Sequence, residues 1–125
     1  MTMNGFATPE GTSRYAIRFK NAAPHHFRRE QTLILSSIGI GTYLGNANAA
    51  TDDSYTDAIV RAVQLGTNVI DSAANYRFQR SERSIGKALA KLKDEHGFSR
   101  EELVICTTGG YLPLDAAPPL SRRHL

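Results

Sequence analysis

The pair of residues most suited to chemistry is a carboxylate and a phenol that lie five positions apart, Asp71 and Tyr76. Asp71 closes the apolar run 67–71, and Tyr76 follows in a loop. In α/β folds, the loops after the carboxyl ends of strands carry ligands. A phenol, whose ordinary pKa is ~10, can give a proton to a developing alkoxide, more readily beside a positive charge. The pair predicts an acid–base site, although loop aspartates and half-buried tyrosines also occur without one.

Three glycines upstream, Gly39, Gly41 and Gly45, are spaced like those of a dinucleotide-binding loop. In a Rossmann unit the helix begins within that loop, so that its amino terminus meets the pyrophosphate. Here the best helix caps are Thr51 and Ser54, which come too late. A Rossmann-type nucleotide binder stays open as an alternative that requires an earlier helix. The simpler interpretation is a strand that ends in glycine.

Two other clusters are better explained by ordinary structure than by a site. His25 and His26 have no cysteine or carboxylate at zinc-ligand spacing, so no metal site is predicted. Four basic residues that follow Asp71 could hold a phosphate, but a solvated helix face is the favoured interpretation. They are Arg77, Arg80, Arg83 and Lys87.

Composition and charge exclude several classes of protein. The chain of 125 residues is 41% hydrophobic and 22% charged, as is typical of one globular domain. Its net charge of +3 arises within the first thirty residues, so no basic stripe predicts a nucleic-acid partner. The single cysteine, Cys106, excludes an internal disulfide, and no apolar run approaches the ~20 residues of a membrane helix. We expect no membrane partner and a cytoplasmic location.

The elements that must position these residues follow from hydrophobic period and turn residues. Residues 1–25 show no sustained period and are predicted to form an irregular arm, with a short strand over residues 14–20. Residues 26–36 predict a β-hairpin. From there the pattern alternates between strand and helix, which argues for a parallel α/β fold. The segments are a strand over 37–43, a helix from Thr51 or Ser54 to Leu65, a strand over 67–71, a helix from Ser81 to Gly97, a capping box at Ser99–Glu102 and a strand over 103–107.

Four runs in this order resemble the start of an aldo-keto reductase. Each run alone is weak, but four in sequence, each beside the expected strand or helix, are specific. The resemblance implies an N-terminal fragment of a (β/α)8 TIM barrel with a leading β-hairpin, over residues 26–112. A Pro-rich, aberrant tail follows over residues 113–125. The runs are Ser37–Tyr43, Gly66–Tyr76, Ser81–Leu89 and Glu102–Tyr111.

The resemblance also implies an activity. Members of this family move a hydride between NADPH, or NADH, and the carbonyl carbon of an aldehyde or ketone, so the implied substrate is a small carbonyl or sugar-like compound. Tyr76 matches the proton donor, and Asp71 matches a carboxylate that also borders the nicotinamide. Gly41, Thr42 and Tyr43 match the first loop, beside the cofactor and the substrate. No metal is implied.

The chain departs from the family pattern at a residue that matters. The family's lysine, whose charge activates the tyrosine and pairs with the aspartate, falls at Thr108, and threonine carries no charge. The fourth strand and its histidine are missing from the sequence, and His124 cannot serve, because it follows two prolines with no strand before it. We therefore expect a truncated oxidoreductase that is inactive alone.

A partial barrel also has exposed edges. Three strands would leave two open edges and an uncovered apolar face, which is an association hazard. We expect self-association through these edges. A second hypothesis is a non-catalytic interaction module, or a remnant that pairs with a separately encoded remainder.

Overall fold

The computed structural model of the chain describes residues 5–109. The tail predicted over residues 113–125 lies outside the described residues. Within them, helices and strands alternate from β3 onwards, as expected for a mixed α/β protein. In chain order the elements are α1 (Pro9–Ile17), β1 (Phe27–Glu30), β2 (Leu33–Ser36), β3 (Gly39–Gly41), α2 (Ala49–Gln64), β4 (Val69–Ala73), α3 (Arg80–His96), a 3₁₀ turn (Arg100–Glu102) and β5 (Val104–Thr108).

The helix α1 occupies part of the segment for which an irregular arm was predicted, and the strand predicted over residues 14–20 is wrong. The Thr8 hydroxyl caps the helix by accepting a hydrogen bond from the Gly11 amide at 2.9 Å, and Pro9 occupies the first turn. Tyr15 and Phe19 alternate with polar residues but are also four positions apart, and their rings pack at 4.9 Å. The helical spacing prevails because Tyr15 is completely buried in the core.

The predicted hairpin is present as an antiparallel pair of strands, in which Phe27 of β1 lies opposite Ser36 of β2. Gln31 and Thr32 join the strands, both with positive φ, at 55° and 138°. A two-residue loop with left-handed backbone matches the right-handed twist of its flanking strands.

The second sheet is parallel, with the order β3-β4-β5. Its register pairs Ile40 with Ile70 and Ile70 with Ile105, so these three isoleucines share one face. That face packs against α2 and α3, whose apolar residues form the core with it. Because the helices cover one face only, the opposite face of the sheet is open within the described residues.

Both long helices begin earlier than the sequence indicated. The Asn48 side chain accepts a hydrogen bond from the Thr51 amide at 2.9 Å, so Asn48 caps α2 in place of Thr51 or Ser54. The helix α3 begins at Arg80, one residue before the predicted cap at Ser81. Since α2 begins well after β3 has ended, no helix starts inside the glycine loop. The Rossmann alternative fails its own requirement.

The helix α1 is attached to the 3₁₀ turn by buried polar contacts. Arg18 Nε donates to Glu102 Oε1 at 2.8 Å, and the Glu102 side chain is only 1% exposed. The predicted capping box is confirmed, because the Ser99 amide donates to Glu102 Oε2 at 2.7 Å.

The helix α1 also contacts α2, because the Tyr15 hydroxyl donates to the Val63 carbonyl at 2.5 Å. Burial, and then the Glu102 charge, raise the pKa of Tyr15, so this phenol stays protonated.

Gly11 is the point of closest approach between α1 and the 3₁₀ turn. A Cβ placed there would lie 2.3 Å from the Glu101 carbonyl oxygen. We expect Gly11→Ala to lower the free energy of unfolding by about 1–3 kcal/mol, because backbone must move to relieve the overlap. Gly86→Ala on α3 is the matched control. With nothing within 4 Å of its Cβ, it should raise stability by about 0.5–1 kcal/mol through helix propensity. Urea unfolding of both variants measures the difference, and equal stabilities would contradict the expectation.

Candidate functional site

The carboxyl edge of the parallel sheet brings the predicted site residues to one level. Asp71, in the central strand β4, is paired with Gly41 of β3 on one side and with Cys106 of β5 on the other. Paired residues in neighbouring strands point to the same face. Asp71 is exposed, and the helix-facing side chain before it is Ile70. The aspartate therefore lies on the open face, at the middle of the edge.

The loop after β3 is held by the buried side chain of Thr42. Its hydroxyl donates to the Asp71 carbonyl at 2.9 Å, and its own carbonyl accepts from the Ser81 hydroxyl at 2.5 Å. Thr42 is completely buried, so its side chain fixes the loop against β4 and α3. The neighbours Gly41 and Tyr43 are exposed, and contact with a cofactor stays a prediction for this loop.

The two predicted tyrosines are in contact. The rings of Tyr43 and Tyr76 meet edge to face, with centroids 5.0 Å apart and an interplanar angle of 73°. Such pairs contribute about 0.5–1.5 kcal/mol beyond the area that they bury. Tyr76 is half-buried, whereas Tyr43 is 64% exposed. The contact holds the Tyr76 ring near the loop after β3.

The position expected to hold a lysine lies at the same edge. Thr108 is paired with Ala73 across β4 and β5, and its hydroxyl donates to the Ser72 carbonyl at 3.4 Å. Thr108 is two residues after Cys106 and so shares the open face with Asp71. Lys87 is exposed on α3, in the helical layer, where it lines a cavity of about 160 Å³ with Arg80 and Arg83. It does not take the place of the missing charge.

The turn that follows Tyr76 has a conformation that the sequence did not indicate. Arg77, Phe78 and Gln79 all have left-handed backbone, with φ values of 51°, 56° and 69°. Residues with a Cβ adopt this conformation at a cost of ~1–2 kcal/mol each, and glycine avoids that cost. Three such residues in succession require compensation from the surroundings.

The side chain of Arg77 supplies part of that compensation. Its Nη2 donates to Asp52 Oδ1 at 2.5 Å, and its Nε donates to the Asn46 carbonyl at 3.0 Å. The guanidinium carbon lies 4.9 Å from the centroid of the Tyr55 ring. With its side chain 1% exposed, Arg77 is an exception to the solvated face predicted for this basic cluster. No local sequence signal could have found this buried arginine, because its partners belong to the start of α2 and to the loop before it.

Asp52 binds a second arginine as well. Its Oδ2 accepts from Arg80 Nη1 at 2.6 Å, so one carboxylate joins the first turn of α2 to the first turn of α3. Partial burial alone would raise the pKa of Asp52, but the hydrogen bonds and charges of Arg77 and Arg80 outweigh it and lower the pKa below its ordinary value.

This lowered pKa makes the ion pairs dependent on pH. A carboxyl group with a depressed pKa contributes stability that is fully present above its ordinary pKa of about 3.9 and is lost as the pH falls through its folded value. We expect Asp52→Asn to be less stable than the natural chain near neutral pH, and the gap to close below about pH 4. Thermal unfolding across this range measures the gap. Asp57→Asn is the control, since Asp57 is 77% exposed and its pairing with Lys91 at 3.8 Å is weak; a constant gap for Asp52→Asn would contradict the expectation.

Among residues 5–109, no three His, Cys, Asp or Glu side chains are grouped so that they could hold a metal ion. In the same part of the chain, no helix combines the length and the apolar character that crossing a membrane requires. Cys106 is a free, exposed thiol.

Comparison with known proteins agrees with this geometry. The model of the aldo/keto reductase family matches residues 37–124, which include all three parallel strands and the predicted site. The chain belongs to the aldo/keto reductase family.

Two curated relatives illustrate the range of the family. The chain is 32% identical over 106 residues to the "Putative voltage-gated potassium channel subunit beta" of Schizosaccharomyces pombe. The matched segment covers 82% of this chain and 30% of the relative. It is 36% identical over 83 residues to the NADH-specific methylglyoxal reductase of Escherichia coli, which covers 62% of this chain and 24% of that enzyme. The matched part of the chain thus spans only 24–30% of the length of these relatives.

Proposed function

We propose that this chain carries the first part of the active site of an NAD(P)H-dependent oxidoreductase, which reduces aldehydes or ketones to alcohols or runs the reverse oxidation. The observation that carries the proposal is the position of Asp71 at the carboxyl edge of a parallel sheet, with Tyr76 in the turn that follows the same strand, within a segment that matches the family. A complete (β/α)8 barrel needs ~250 residues and eight strands. The described residues supply three of those strands.

The open face of the sheet suits a flat ring. Nothing lies within 4 Å of the position that a Cβ on Gly41 would take, and the neighbouring Asp71 is exposed. A nicotinamide ring resting there would lie beside the carboxylate. When bound, the reduced nicotinamide supplies the hydride.

The proton comes from the protein in this proposal. As the carbonyl carbon of the substrate gains a hydride, its oxygen becomes an alkoxide and takes the proton of the Tyr76 hydroxyl, which yields the alcohol. Tyr43 borders the Tyr76 ring and forms one wall of the space for the substrate. Asp71 lies on the same edge. The lysine that would pair with it in the family pattern is replaced here by Thr108.

The absent charge limits what this chain does by itself. A lysine beside a phenol favours the phenolate and so makes the phenol a better acid. Thr108 offers only a hydroxyl, which here donates a hydrogen bond to the Ser72 carbonyl. We expect the 125-residue chain to show no NAD(P)H-dependent reduction when it is assayed alone. A cytoplasmic location stays a prediction.

A chimera tests the proposed chemistry. Residues 37–109 of this chain replace the corresponding segment of the Escherichia coli methylglyoxal reductase, and NADH oxidation by methylglyoxal is followed. We expect Thr108→Lys to raise kcat at least about tenfold, which corresponds to a barrier lower by about 1.4 kcal/mol, because a lysine beside a phenol makes it a better acid. Adding Tyr76→Phe to that variant should lower the rate by about 10²–10⁴, because the proton donor is removed.

Two outcomes would contradict this assignment. Retention of the Thr108→Lys rate in the Tyr76→Phe double variant would show that another group donates the proton. In the chimera that keeps Thr108, loss of the remaining rate on Lys87→Gln would show that this exposed lysine of α3 supplies the charge. We expect Lys87→Gln to leave the rate unchanged, because Lys87 belongs to the helical layer.

A second function, as an interaction module, is favoured by the open sheet. Within the described residues, β3 and β5 are both edge strands. Beside β3 lie two exposed apolar side chains, Ile38 at 64% and Leu44 at 74% exposure. Unpaired strand edges beside apolar side chains are templates for pairing with another chain.

Self-association of the 125-residue chain tests this second function. We expect sedimentation velocity to show an average mass that rises with concentration, because open edges can pair between copies. Ile38→Lys, beside β3, should reduce the association. Leu65→Lys is the matched control, since Leu65 is equally exposed but lies at the end of α2. A monomer at every concentration, or equal effects of the two lysines, would contradict edge pairing.

A further inference from the structure

The backbone of the turn directly after Tyr76 is strained, and the proposed chemistry does not explain how the Tyr76 ring keeps its position beside it. Tyr76 is joined directly to three consecutive residues with left-handed backbone, Arg77–Gln79, and then to the start of α3. A turn under such strain has lower-energy alternatives, and each would move the Tyr76 ring. Something other than the turn itself must therefore hold the ring.

The contacts of Arg77 are suited to that task. Its guanidinium is bound by the Asp52 carboxylate, the Asn46 carbonyl and the Tyr55 ring, all of which belong to the start of α2 or to the loop before it. Tyr55 is itself held, because its hydroxyl donates to the Leu44 carbonyl. The residue adjacent to Tyr76 is thus attached to a different element of the fold.

We infer that Arg77 is a positioning residue for Tyr76, and that its ion pair with Asp52 holds the phenol ring against Tyr43. This inference rests on the proposed function for its importance to catalysis, but the positioning is a property of the folded chain. The buried position of the Arg77 guanidinium depends on the negative charge of Asp52. If Asp52 is neutralised, a side chain that is 1% exposed keeps its full charge without a carboxylate partner.

A buried charge without a partner is expensive, so the guanidinium should then leave its site for water. The strained turn would follow it, and the Tyr76 ring would lose its fixed position. Replacing the guanidinium by a neutral amide, as in Arg77→Gln, removes the same ion pair from the other side. The inference therefore predicts that Arg77→Gln releases the Tyr76 ring as Asp52→Asn does, and that the two changes together do no more than either one alone.

The test uses the 125-residue chain labelled with ¹³C in its tyrosine rings. The five tyrosines are few enough to assign by substitution. Because the Tyr43 and Tyr76 centroids are 5.0 Å apart, the natural chain should show cross-peaks between the two rings. We expect these cross-peaks to weaken at least about threefold in Asp52→Asn, in Arg77→Gln and, to the same extent, in the double variant. Asp53→Asn, in which the neighbouring exposed carboxylate is neutralised, should leave them unchanged.

Core contacts report whether each variant is folded. Tyr15 packs against Phe98 with centroids 6.0 Å apart, far along the chain from the turn, so its cross-peaks should persist throughout. If Asp52→Asn loses them and is unfolded, the same comparison is made with Arg77→Gln, which removes the ion pair while Asp52 keeps its bond to Arg80. Loss of the Tyr43–Tyr76 cross-peaks in that variant supports the inference.

Two results would overturn the inference. Unchanged Tyr43–Tyr76 cross-peaks in a folded Asp52→Asn variant would show that the ion pair does not hold the ring. Full cross-peaks in a folded Arg77→Gln variant would assign the effect of Asp52→Asn to Asp52 acting through Arg80 or through the start of α2. Neither result depends on turnover. If the chimera is inactive while the ring contacts of the 125-residue chain follow the expected pattern, the result counts against the proposed function alone.

Discussion

The buried side chain of Asn68 is the interaction on which the arrangement of the two sheets depends. Its Oδ1 accepts from the Ser36 amide at 2.9 Å, and its Nδ2 donates to the carbonyls of Ile34 and Glu102 at 3.0 and 3.3 Å. Asn68 lies one residue before β4. Its side chain therefore supplies hydrogen-bond partners to backbone groups of the hairpin and of the 3₁₀ turn that would otherwise be buried without them. The start of the central strand, and so the height of Asp71 along it, is set by this network.

The site at the other end of the sheet is held in a different way. At the amino ends of the strands, Asn68 binds backbone groups through neutral hydrogen bonds, whereas the turn after Tyr76 relies on a charged pair. Asp52 and Arg77 face each other at 2.5 Å with little exposure, where loss of one partner is far more costly than at the surface. The protein thus places its strained backbone beside the residue proposed to do chemistry, a pattern seen at many functional sites.

Sequence reasoning succeeded where the signal is local and repeated. The hairpin, the alternation of strands and helices, the Ser99 capping box and the glycine at the end of α3 all follow from short-range preferences, and the structure confirms them. It failed for α1, where alternating aromatic residues indicated a strand. Tyr15 could be assigned to a helix only through its contacts with Val63 and Phe98, which lie far away in sequence.

The sequence by itself determined the family, the parallel α/β order and the identity of Asp71, Tyr76 and Thr108 as the residues to examine, because motif spacing and hydrophobic period are written along the chain. Only the tertiary structure decided that Thr42 is buried, that Tyr43 meets Tyr76 and that Arg77 lies inside on Asp52. The physical reason is that burial and charge pairing depend on which distant residues become neighbours. Arg77 and Asp52 are twenty-five positions apart, and no local preference joins them.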